Sequence, residues 1–105
     1  MSKSSGGDLL EEFLKWGQRV RERIPIDIRT ELELGPKYTK QGAWINFFSN
    51  KIIGQVMIWD SGEYEYSIES IVDGTVLTYH YGEEIDPSQF EQLFSPITQK
   101  FILDG

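Results

Sequence analysis

The sequence predicts an α+β fold: an N-terminal helix, an antiparallel meander of about five strands, and a C-terminal helix kinked near Pro96, with both helices on one sheet face. Three observations predict it. The hydrophobic period changes from helical spacing to strict alternation at Ile26. Turn signals then recur at short intervals with no helical stretch between them: Gly35-Pro36, Ser49-Asn50-Lys51, Trp59-Asp60-Ser61-Gly62 and Asp73-Gly74. Asp86-Pro87 finally opens a second helical pattern.

Residues 1–7 (MSKSSGG) are small and polar and read as a flexible tail, leaving 8–105 as a single domain. Asp8, with Glu11 three residues on, reads as a capping box. Leu9, Leu10, Phe13, Leu14, Gly17, Val20 and Ile24 then mark one apolar helix face, and Pro25 ends it. Ile26, Ile28, Thr30, Leu32 and Leu34 alternate with polar residues as a first half-buried strand. Ala43 to Phe48, Ile52 to Trp59, Glu63 to Val72 and Thr75 to Tyr81 complete the meander, with Asp73-Gly74 read as a two-residue hairpin. In the second helix Pro87 takes the first position and Gln89 the capping-box place. Phe90, Leu93, Phe94, Ile97 and Phe101 form its stripe, and Ser95-Pro96 interrupts it.

Turn geometry decides which strand residues share a face. A type I turn over Trp59-Asp60-Ser61, closed by a left-handed Gly62, puts Val56 and Ile58 beside Tyr64 and Tyr66. The opposite face then holds Gln55, Met57 and Trp59 beside Glu63, Glu65, Ser67 and Glu69. Carrying the partition through the Asp73-Gly74 turn assigns Leu77, Tyr79 and Tyr81 to the helix side, and Thr78 and His80 to the open side. Trp44 and Phe48 join the open side from the second strand. The alternative is that the bulge is absent and Trp59 packs in the core with Tyr64. The candidate partner-binding residues are therefore Trp44, Met57, Trp59, Asp60, Glu63, Glu65, Glu69 and His80. A mixed aromatic and charged face has the composition of an interaction site.

Charge narrows the partner. The 105-residue chain carries −7, and residues 1–24 hold +1 of it against −8 for the rest. From Asp60 onward a single base, Lys100, stands against ten acids. Phosphate-backbone binding and anionic membranes call for the opposite balance, so neither nucleic acid nor membrane is expected as a partner. Absent cysteines exclude a thiol nucleophile, and one histidine leaves little for a metal centre, so no cofactor, metal or catalytic residue is expected. Ser61, His80 and Asp60 do not make a triad, because the acid adjoins the serine instead of lying beyond the imidazole. The alternating glutamates read as a solvated face before a metal site.

The segment Ile53-Gly54-Gln55-Val56-Met57-Ile58-Trp59-Asp60-Ser61-Gly62 resembles the Ile-Gly-x-hydrophobic-x-hydrophobic-Trp-acid-Ser-Gly stretch of the TriTu family of bacterial immunity proteins. Asp60 stands where that family more often has Glu. An amphipathic Leu-Leu-Glu-Glu-Phe-Leu-Lys-Trp helix precedes the block, and an acidic strand, a hairpin and Tyr79-His80-Tyr81 follow it, so the similarity spans nearly all of residues 8–103. The resemblance implies a cytoplasmic, non-enzymatic antidote to a polymorphic toxin, of the Rhs type or similar and often delivered by type VI secretion. The implied toxin is an ADP-ribosyltransferase that modifies elongation factor Tu, and the implied mechanism is obstruction of its active site by a monomer or a 1:1 complex.

A small acidic secretion chaperone is the competing reading, since size and pI suit that class too. A chaperone dimerises and holds an extended, non-native segment, whereas an inhibitor holds a folded toxin domain. A nucleic-acid mimic ranks third and an enzyme last.

Overall fold

The computed structural model describes residues 6–37 and 40–103, and the side chains from Leu9 onward within them. Helix α1 (Gly6–Arg23) is followed by strands β1 (Arg29–Leu34), β2 (Gly42–Phe48), β3 (Ile52–Trp59), β4 (Tyr64–Ser70) and β5 (Val76–Gly82). A 3-10 turn (Pro87–Gln89) leads into α2 (Phe90–Leu93) and α3 (Ser95–Leu103). The strands form one sheet in the order β1-β2-β3-β4-β5, each pair antiparallel. This is the expected α+β meander.

Local sequence explains most element boundaries. Helix α1 begins two residues before the expected Asp8 cap, so Gly6 and Gly7 belong to the helix and not to a tail; the rest of the expected tail lies outside the described residues. Arg21 and Arg23 occupy its last turn, where positive charge complements the helix dipole. Strand β1 starts at Arg29 and not at Ile26. Pro25 instead accepts a bond from Ile28 N–H at 3.0 Å, and the resulting turn leaves Ile26 fully exposed. The second capping box is present as read: Asp86 Oδ2 accepts from Ser88 N–H and Gln89 Oε1 accepts from Asp86 N–H. The helix breaks at Phe94, just before Ser95-Pro96. Ser95 does not cap the new segment; its hydroxyl donates back to the Gln92 carbonyl at 3.0 Å.

All helices lie on one sheet face. Helix α1 packs on β1, β2 and β3, while α3 packs on β4. The core between the layers is aromatic: Phe13, Trp16, Phe90 and Phe94 form a mutual cluster that reaches Tyr64 and Tyr66 on the sheet. Trp16 lies off the expected stripe yet is buried. Its indole N–H donates to Glu91 Oε1 at 3.1 Å, and Arg23 clasps the same carboxylate through two N–H groups at 3.1 and 2.9 Å. That clasp ties the end of α1 to α2 and holds the Glu91 carboxyl below its ordinary range.

Gly54 seats α3. A Cβ there would stand 2.5 Å from Phe101 Cε2 and 2.9 Å from Ile97 Cδ1. Phe101 is itself buried and stacked on Phe47, with centroids 5.0 Å apart, so its ring has nowhere to go. Gly54→Ala is therefore expected to destabilise the fold by about 1–3 kcal/mol through overpacking. Urea denaturation checks this, and adding Phe101→Leu should restore part of the loss if the clash is the cause.

Candidate functional site

The face opposite the helices is uncovered. Strand register arranges it in cross-strand rows. One row runs Glu31, Asn46, Gln55, Ser67, Tyr79, and the next runs Glu33, Trp44, Met57, Glu65, Tyr81. On the far side of these, Arg29, Phe48, Ile53 and Glu69 form a third row. At the other end Trp59 lies opposite Gly42, next to Asp60 and Glu63. Neighbours within a row stand close enough for their side chains to interact.

The Trp59–Gly62 turn fixes this partition. Gly62 has φ +96°, its N–H donates to Trp59 O at 3.0 Å, and Trp59 N–H donates to Glu63 O at 2.9 Å. A left-handed residue at this position is the bulge expected of a three-residue loop, and it pairs Ile58 with Tyr64. Trp59 is consequently not a core residue. It is half-buried on the open side, with Lys40 Nζ 5.3 Å from its ring centroid.

Trp44, Met57, Trp59, Glu63, Glu65 and Glu69 thus lie together on the open face or at its turn end. Asp60 sits in the turn, where its carboxylate accepts from Gln41 N–H at 3.2 Å while its own N–H donates to Gln41 O at 2.9 Å. It anchors Gln41, next to the Lys40 whose ammonium lies over Trp59.

His80 is on the other face. It pairs with Tyr66, stacks on that ring at 5.3 Å, and its Nε2 is 3.2 Å from the Tyr64 hydroxyl. Tyr79 and Tyr81 take the open side instead, reversing the assignment of the β5 residues from Thr78 on. Two events cause this. The loop is not a two-residue hairpin: Ser70 and Thr75 close residues 71–74, with Ser70 N–H donating to Thr75 O at 2.8 Å. Widening a loop by two residues preserves which side chains share a face. The register then slips by one between Ile68 and Glu69, leaving Leu77 unpaired, and a slip of one exchanges the faces. His80 accordingly has neither Glu69 nor Ser61 beside it; Ser61 Oγ donates to Glu63 Oε1 at 2.8 Å.

Two carboxylates on the open face, Glu63 and Glu65, are held by hydrogen bonds. Glu63 Oε1 accepts from Lys40 Nζ and Ser61 Oγ, and Glu63 Oε2 accepts from the Tyr81 hydroxyl at 2.7 Å. These donors, Lys40 foremost and then Tyr81, pull the Glu63 carboxyl down to about 2. The Tyr79 hydroxyl donates to Glu65 Oε1 at 2.8 Å. Both tyrosines are pushed up in turn, because ionising either would set a phenolate against the carboxylate it now serves. Gln55 Nε2 donates to Asn46 Oδ1 at 2.8 Å, so the centre of the face is ordered as well.

A depression on this face, lined by Asn46, Phe48, Gln55, Ser67 and Glu69 among others, has a volume of about 280 Å³. That falls below the usual range for small-molecule pockets and suits a single protruding side chain. Among the described residues no group of three or more potential ligands is placed to hold a metal ion. No described helix is long and apolar enough to cross a membrane. The arrangement sets aromatic rings beside hydrogen-bonded carboxylates across one uncovered face. Tyr79 and Tyr81 were hidden from the sequence by the β4–β5 register; Glu31 and Glu33 were visible only as the polar side of an alternating strand.

The Glu63 shift has a defined pH signature. Its folded pKa lies below its ordinary value of 4.5, so its stabilising effect is present above that value and is lost as pH falls toward about 2. The difference in melting temperature between the protein and its Glu63→Gln variant should be largest near neutral pH and should shrink across that window. A difference independent of pH would show that the carboxylate's charge is not what is bound.

No curated protein and no solved structure matches the chain. A family model described as Immunity protein TriTu does match, over residues 11–100, which takes in α1 from Glu11, the whole sheet with its open face, and α3 up to Lys100. The chain belongs to the TriTu family of immunity proteins, whose role is to bind a cognate toxin.

Proposed function

We propose that this chain, with residues 8–105 acting as one immunity domain, binds a secreted ADP-ribosyltransferase toxin in the bacterial cytoplasm, blocks its active site by occlusion and so protects elongation factor Tu. The observation that carries the reading is the uncovered sheet face. Five strands of about seven residues span roughly 24 by 23 Å. A standard interface buries about 800 Å² per partner, an eighth or so of the 6216 Å² surface. A sheet face with its turns and edge supplies that area.

Charge and composition support the same reading. A site that binds a dinucleotide pyrophosphate is electropositive at its mouth, and the open face offers Glu31, Glu33, Glu63, Glu65 and Glu69 against Arg29 and Lys40. Carboxylates steer a basic partner toward the face. Trp44, Trp59, Tyr79 and Tyr81 supply the aromatic anchors that slow release. The hydrogen bonds of Tyr79 and Tyr81 to Glu65 and Glu63 lower the entropy lost on docking.

The test is toxin-dependent ADP-ribosylation of elongation factor Tu, using the toxin encoded by the neighbouring gene. Stoichiometric inhibition is expected, with apparent potency falling as NAD is raised if the NAD cleft is what is covered. Glu65→Lys combined with Glu69→Lys should weaken toxin binding roughly 10- to 100-fold while leaving the melting temperature nearly unchanged. Wild-type affinity in that variant would move the interface off the sheet face, to the outer side of α1 for example. Tight binding without inhibition would favour a chaperone.

A further inference from the structure

The two edges of the sheet are built differently. β1 carries Arg29, Glu31 and Glu33 at alternate positions, the first two ion-paired at 4.0 Å, and charge along an edge strand discourages another strand from pairing with it. β5 has no such protection. Val76-Leu77-Thr78-Tyr79-His80-Tyr81-Gly82 contains no charged residue and no proline, and it is rich in residues that favour strands. Among the described residues β4 is its only strand neighbour. Val76, Leu77 and Tyr79 are each more than half exposed. Hydroxyls of Tyr79 and Tyr81 reach inward to Glu65 and Glu63 of the preceding strand and turn, so these rings lean away from the outer edge and leave its backbone groups open.

An open row of N–H and C=O groups is a template for an added strand, and the charges at its ends select which one. Asp73 precedes β5, and Glu83 and Glu84 follow it. A second copy added antiparallel would set its Glu83 and Glu84 beside Asp73 at both ends of the seam. A copy added parallel would set like acid against like acid. Either arrangement also brings together two chains of net charge −7. A segment with an apolar centre and basic residues on each side meets no such repulsion.

We propose that β5 receives an extended segment of the toxin, apolar or β-branched in its centre and basic at its ends, as a sixth strand of the sheet. The inference rests on the immunity reading and deepens it. The sheet face supplies steering charge and aromatic anchors, and the β5 edge supplies main-chain hydrogen bonds that fix the toxin's register. Side chains of the added strand alternate between Tyr79 and Tyr81 on one side and Thr78 and His80 on the other.

Hydrogen exchange tests it, on the full chain alone and saturated with the catalytically inactivated toxin domain encoded by the neighbouring gene. Amides of residues 76–82 are expected to slow by at least about tenfold in the complex, more than those of β1. Val76→Lys combined with Leu77→Lys, both exposed positions, should weaken toxin binding by at least about tenfold through repulsion of the basic flanks. A complex that forms with β5 exchange unchanged overturns the inference and leaves the immunity reading standing. Absence of any complex overturns the immunity reading and the inference with it. A stable dimer of the free protein with β5 already protected overturns it in favour of a second copy.

Discussion

The ring of Phe101 lying over Gly54 is the contact on which the rest of the structure depends. With no Cβ in the way, α3 approaches the sheet closely enough for Phe101 to stack on Phe47. The aromatic cluster of Phe13, Trp16, Phe90 and Phe94 then fills the space between α1, α2 and the sheet. All helical mass is thereby committed to one side. The other side is left bare by construction, with a mixed aromatic and acidic character.

Rigidity of that face comes from polar contacts instead of packing. Glu63 gathers Lys40, Ser61 and Tyr81, which belong to three separate segments of chain. Asp60 pins Gln41, and Gln41 Nε2 in turn donates to the Gly35 carbonyl at 2.8 Å. A surface exposed to water keeps its shape only if its side chains have partners of their own. Glu63 and Glu65 are consequently engaged before any partner arrives, and Tyr79 and Tyr81 are tied to them.

The sequence made the fold class legible, and with it the element order and the open face as far as β4. The Trp59–Gly62 turn left two registers open for β3 and β4, and the structure takes the one with a left-handed Gly62 and Ile58 opposite Tyr64. Beyond that point legibility failed for physical reasons. Helices cover neither side of β5 well, so both of its side-chain sets are exposed and hydrophobicity cannot choose between them. The choice falls to a one-residue bulge at Leu77, which no local pattern announces. His80 was misplaced for that reason, and Tyr79 and Tyr81 were missed. Trp16 escaped notice differently: its partner Glu91 lies 75 residues away, and a tryptophan one step off a helical stripe is ambiguous until the neighbouring helix is in place.

The distribution of charge between the two layers has a mechanical consequence. The outer side of α1 mixes Lys15, Arg19, Arg21 and Arg23 with Glu11, Glu12 and Glu22 and is nearly neutral, whereas the open sheet face is strongly negative. The molecule therefore carries an electric moment directed through the sheet. In the field of a positively charged partner such a molecule would experience a torque as it diffuses, turning the bare face toward that partner before contact. Productive encounters then make up a larger share of all collisions than random orientation would give, and the effect weakens as salt shortens the reach of the field.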